Sequence, residues 1–155
     1  MAQKVLLDTN LLVLLIVGLT SPHFIAAHKR LDSYSRLDFD ALVERLAPAK
    51  AHSLVVTPHV MAEASNLLAL TGEPRRSQIM EQYRIFLEQV TEVHIPARRA
   101  AKRVEFVRLG LSDAALLDIQ DDEIILLTAD AKLHDAALRA GRNAESFSHA
   151  RDVQS

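Results

Sequence analysis

Apolar residues fall into short unbroken blocks, and the stretches between them are longer and spaced like helices. Val5-Leu6-Leu7 ends at Asp8, the pattern of a buried strand. Residues 11–19 follow at once and are apolar all round, compatible with a buried helix or a second strand. Gly18 and Pro22 at the far end favour the helix. Residues 24–31 and 40–46 read as two more helices, ending before Pro48. Ser53-Leu54-Val55-Val56 reads as a second buried strand. Thr57 is then placed to cap, and Pro58 to open, a helix to about Leu70 that stops at Gly72. Pro74 starts another helix, to about Val90. Residues 92–95 predict a third strand, and Pro96 opens a helix to about Leu109 that Gly110 breaks. Ser112 caps a further helix through Ile119. Residues 124–128 predict a fourth strand, Asp130 caps a helix ending at Gly141, and residues 144–147 predict a last short strand.

Continuous apolar strands alternating with helices indicate an α/β domain in three layers, a central mostly parallel sheet with helices on both faces. The pattern predicts one domain over residues 1–150 and a short tail at 151–155. Ligands in such folds gather at the carboxyl ends of the strands. Asp8 lies just past the first strand and Asp130 just past the fourth.

Composition narrows the chemistry. The chain has 155 residues, with 18 Lys plus Arg against 20 Asp plus Glu, a net charge of −2. No overall positive field is available to grip nucleic acid, so such a partner needs a local basic patch. With no cysteine, disulfides, thiolate metal sites and cysteine nucleophiles are excluded. The greasiest run, residues 11–19, is too short to span a membrane. Asp8 and Asn10 before it, and the lack of a small-residue cleavage site after it, argue against a signal peptide. A cytoplasmic protein without a membrane partner is expected. The seven histidines show no zinc spacing. No G-x-S-x-G elbow, G-x-G-x-x-G turn or phosphate-loop lysine occurs.

Four carboxylates stand out. Asp8 sits in Leu7-Asp8-Thr9-Asn10, Glu63 in the first turns after Pro58, Asp113 after Ser112, and Asp130 in Leu127-Thr128-Ala129-Asp130. Asp113 and Asp130 have an ordinary reading as helix-start residues, and Glu63 as a helix-surface glutamate. Asp8, wedged between apolar runs, resists that reading, because burying a carboxylate is costly without compensation. Several carboxylates a few ångströms apart repel one another, so a proton or a cation must join them. Oxygen donors alone suit Mg²⁺ or Mn²⁺.

In their order and setting, these segments resemble the PIN-domain family of nucleases. The carrying stretches are Val5-Leu6-Leu7-Asp8-Thr9-Asn10, Val60-Met61-Ala62-Glu63-Ala64, Leu109-Gly110-Leu111-Ser112-Asp113-Ala114-Ala115 and Leu126-Leu127-Thr128-Ala129-Asp130. The resemblance spans nearly the whole chain. It implies a Mg²⁺- or Mn²⁺-dependent endoribonuclease acting through Asp8, Glu63, Asp113 and Asp130, with Asn10 and Thr128 supporting the acids by hydrogen bonds. Many members of the family are toxins of toxin–antitoxin pairs, blocked by a small antitoxin, and homodimers are common among them. The stretch between Asp8 and Glu63, with its two predicted helices, is longer than in the compact toxins. Other readings are a PIN-like nuclease of RNA processing or defence, a non-catalytic binding module of the same fold, and a metal-dependent phosphohydrolase of small phosphoesters.

A local basic patch is present. Arg98, Arg99, Lys102, Arg103 and Arg108 follow Pro96, and the first four are the candidates for holding RNA. Tyr34, Tyr83 and Phe86 have two readings, stacking on bases or packing in the core. Asp118, Asp121 and Asp122 read as a solvated turn, and Asp135 as a helix-surface residue.

Overall fold

The computed structural model describes residues 3–49 and 53–147. The first apolar block is β1 (Lys4–Leu7), with Val5, Leu6 and Leu7 buried. Asp8 caps α1 (Thr9–Thr20), whose residues 11–18 are all buried. A helix apolar all round needs cover on every side, and α1 has it. It packs against α2 (Phe24–Ala27), α3 (Arg36–Leu46), α4 (Pro58–Leu68) and α5 (Arg75–Leu87). The α3 contact depends on Gly18. A Cβ there would lie 2.1 Å from Cδ1 of Phe39, so glycine is what lets the Phe39 ring sit on α1.

The remaining strands are β2 (Leu54–Val56), β3 (Thr91–Glu92), β4 (Ile124–Thr128) and β5 (Ala144–Ser146). The other helices are α6 (Ala97–Ala101), α7 (Phe106–Leu109), α8 (Leu111–Leu117) and α9 (Ala131–Arg139). All the strand pairs are parallel, in the order β3-β2-β1-β4-β5. Crossovers between parallel strands are right-handed, so the direction of travel decides the face. The chain first moves from β1 outward to β3, laying α1–α5 on one face. It then returns to β4 and on to β5, laying α6–α9 on the other. Packing agrees: α8 contacts α6, α7 and α9, and α9 lies on β4 and β5. The result is the expected three-layer α/β fold, with every pair parallel rather than most.

Direction reverses between β1 and β4, whose register sets Leu7 opposite Leu127. In open parallel sheets ligands bind beyond the carboxyl ends of the strands at such a reversal. Four helices begin at this edge: α1, α4 and α9 because each follows a strand, and α8 because it runs back toward the start of β4.

Several boundaries differ from expectation, each for a local reason. The 24–31 helix breaks at His28, which is extended (φ −97°, ψ 118°). Its ring Nδ1 accepts a hydrogen bond from the Arg30 amide, and Nε2 lies 3.3 Å from the Leu68 carbonyl oxygen. Helix α3 starts at Arg36, not Asp40, because Ser35 and Asp38 cap each other's backbone amides. The third strand is Thr91–Glu92 rather than 92–95. The helix after Pro96 is two pieces, α6 and α7. Gly110, with φ 90°, both ends α7 and caps α8, so Ser112 is not the cap. Among the described residues no helix is long and apolar enough to cross a membrane. The tail predicted at 151–155 lies outside the described residues.

Candidate functional site

All four acids reach the carboxyl edge of the sheet. Asp8 is 5% exposed. One of its carboxylate oxygens accepts from the Leu11 amide at 3.0 Å. The other accepts from the Thr128 hydroxyl and from the Ala129 amide. The first and fourth strands are thereby tied through one side chain. Thr128 in turn accepts from the Asp130 amide at 3.0 Å, and Asp130 caps α9 by accepting from Lys132 and Leu133. Asp113 sits in the first turn of α8, half-buried. Glu63 lies exposed on α4, where its Oε2 accepts from the Ser112 hydroxyl at 2.9 Å.

The electrostatics show that the acids share one space. Burial raises the Asp113 carboxyl, and then Asp130, Asp8 and Glu63, each negative, raise it further, to about 7. Asp8 also lies above its usual value, chiefly through burial. Its bonds to Thr128, Leu11 and Ala129 pull the other way, and the Asp130 charge adds to the rise. Among the described residues no lysine, arginine or histidine pairs with any of the four acids, and none donates a hydrogen bond to Asp113. The compensation available within the chain is the amino ends of α1, α8 and α9, which favour negative charge.

The donor set is oxygen throughout and carries excess negative charge, so its chemistry fits a hard divalent cation. Among the described residues, however, no three His, Asp or Glu side chains stand close enough together to form a ready coordination shell.

The supporting residues divide. Thr128 bonds Asp8 as expected, whereas Asn10 is exposed on α1 and bonds none of the four acids. Tyr34, half-buried in the segment between α2 and α3, borders the same space. Its hydroxyl is raised to about 12 by burial and then by Asp8, Asp38 and Asp130. Sequence pattern offered Tyr34 a stacking role but gave no sign that it neighbours the acids. Tyr83 and Phe86 belong to the core: both are buried, their rings stack at 6.4 Å, and Tyr83 donates to the Met61 carbonyl oxygen.

The basic patch is also split. Arg99 and Arg103 both pair with Asp118, at 2.7 and 3.3 Å, and Arg103 also bonds Glu105. Asp118, expected in a solvated turn, is in fact 9% exposed beneath these arginines. Arg98, Lys102 and Arg108 are exposed and form no ion pair among the described residues. A cavity of about 260 Å³ lined by Leu6, Leu117, Ile119, Asp122, Arg142 and Asn143 lies toward the amino ends of the strands, away from the acids. No protein-family model, no curated protein and no solved structure matches this chain.

Proposed function

We propose that the chain is a divalent-metal-dependent endoribonuclease of the PIN-domain type. The observation that carries this reading is Asp113. It is a half-buried carboxyl raised to about 7 by burial and then by the charges of Asp130, Asp8 and Glu63, with no cation of the chain among the described residues to oppose them. The position of the acids at the β1–β4 reversal supports it.

Asp8, Asp113 and Asp130 would hold Mg²⁺ or Mn²⁺, with Thr128 and the Leu11 and Ala129 amides fixing the Asp8 carboxylate. When bound, such an ion polarises a phosphodiester and acidifies a water. Glu63 keeps Oε1 free of Ser112 and stands at the open side, placed to share in holding the ion or to take a proton from water. Arg98 and Lys102 draw the RNA backbone toward the edge. In a toxin–antitoxin setting a small antitoxin, or a second copy, would cover this edge.

The test is cleavage of total RNA by purified protein with Mn²⁺, with Mg²⁺ and with EDTA, beside Asp113→Asn. Discrete fragments that need the metal are expected. The variant should lose more than the ~100-fold that outer-shell changes cost. Calorimetric titration with Mn²⁺ decides a negative result. Binding lost in Asp113→Asn keeps the nuclease reading, whereas no binding in the wild type transfers the chain to a non-catalytic module. Hydrolysis of a chromogenic phosphoester without RNA cleavage would move it to the small-phosphoester hydrolases.

A further inference from the structure

We infer that Ser112 is a positioning residue, whose hydroxyl clasps Glu63 across the open edge of the sheet and fixes where that carboxylate points. The inference rests on the acid-site reading above and assigns a part that the acids alone do not reveal.

Helix α8 enters through Gly110, whose φ of 90° is readily available to glycine alone. That turn starts the helix without any side-chain cap. Ser112 is thereby relieved of the capping role its position suggests. Its hydroxyl instead crosses to α4 and donates to Glu63 Oε2 at 2.9 Å, over a separation of 49 residues. The two helices belong to opposite faces of the sheet and touch here. Glu63 is exposed, and a glutamate on a helix surface samples many rotamers. Among the described residues Ser112 is its one hydrogen-bond donor. A hydroxyl has a single proton to give, so the bond occupies Oε2 and leaves Oε1 for a cation or a water. Because Ser112 directly precedes Asp113, one short helix start sets two acids at once: its own, through the backbone, and that of α4, through the hydroxyl.

The test compares Mn²⁺ binding by calorimetry in the wild type, Ser112→Ala, Ser112→Thr, Glu63→Gln and the Ser112→Ala/Glu63→Gln pair. Outer-shell donors are typically worth about 10- to 100-fold in metal affinity. Ser112→Ala is expected to weaken binding about 10-fold, while Ser112→Thr, which keeps the hydroxyl, stays within about 2-fold. In the Glu63→Gln background the alanine should add little, because the carboxylate that would take the cation is gone. Melting temperatures should hold across the set, since the bond lies at the surface. Unchanged Mn²⁺ affinity in Ser112→Ala would overturn the inference, as would an equal loss in the Glu63→Gln background. A wild type that takes up no Mn²⁺ removes the acid-site reading itself and the inference with it, a result told apart by the first titration.

Discussion

Helix α8 carries an acid at each end, and the two are treated in opposite ways. Asp118, just past its last turn, is 9% exposed and lies against Arg99 and Arg103. Asp113, in the first turn, is more open, yet it faces three further carboxylates and no arginine. Glu105 shows what a supplied cation does. Burial pushes its carboxyl up, but the Arg103 hydrogen bond and the charges of Arg103 and Arg108 bring it below its usual value. Burial therefore does not by itself separate the two acids of α8. The distinguishing feature is whether the fold itself provides the counter-charge. At Asp118 it does, and the group is locked. At Asp113 it does not, so the compensation must come from a proton or from an ion in solution.

The strongest way to break this contrast is to remove the internal cation. Arg103→Ala leaves Asp118 with one arginine and Glu105 with none of its hydrogen bonds from that side chain. Losing these charge-assisted hydrogen bonds is expected to cost about 2 kcal/mol in denaturant unfolding. Mn²⁺ affinity should stay unchanged, and a large drop in it would mean that the two ends of α8 are not independent.

A smaller effect is expected from Thr128→Val, which takes away the hydroxyl that Asp8 accepts from and leaves shape nearly intact. Mn²⁺ affinity by calorimetry should fall about 10-fold or somewhat more. Wild-type affinity in this variant would show that Asp8 is held well enough by the Leu11 and Ala129 amides.

A third test is the pH slope of the metal-free protein. Folded Asp113 keeps its proton up to about 7, whereas the unfolded group releases it near 3.8. The folded state thus binds more protons across that window, and stability falls as pH rises through it. Asp8 acts with the same sign. His28, lowered mainly by burial, acts oppositely: below 6.5 the unfolded ring takes up a proton that the folded ring resists. Comparing wild type with Asp113→Asn cancels His28. The melting temperature of the variant should gain on the wild type between about pH 4 and pH 7. A constant gap would show that Asp113 does not carry the unopposed charge.

What could be read from sequence follows the range of the interactions. The apolar blocks of β1 and β4, the Thr57-Pro58 start of α4 and the Asp130 cap all act within a few residues, so they were legible. So was the arrival of Asp8 and Asp130 at one edge, because strand ends place them there. The Ser35–Asp38 box was present as a signal but used aspartate where a longer acid is usual. The break between α6 and α7 was not legible. Residues 98–103 have an unbroken helical appearance, but Arg99 and Arg103 reach to Asp118, beyond the next two helices of the same β3–β4 connection. Ser112 illustrates the same limit: local rules make it a cap, and a glutamate 49 residues upstream makes it a donor.

The bond between Thr128 and Asp8 joins residues 120 positions apart. A chain emerging from the ribosome exposes Asp8 early, with the nearby Leu11 amide as its local support. Thr128, Ala129 and Asp130 are made some 120 residues later. The four acids are therefore brought together only after Asp130 has been made. On the proposed reading, that delay protects the message being translated, which is itself RNA.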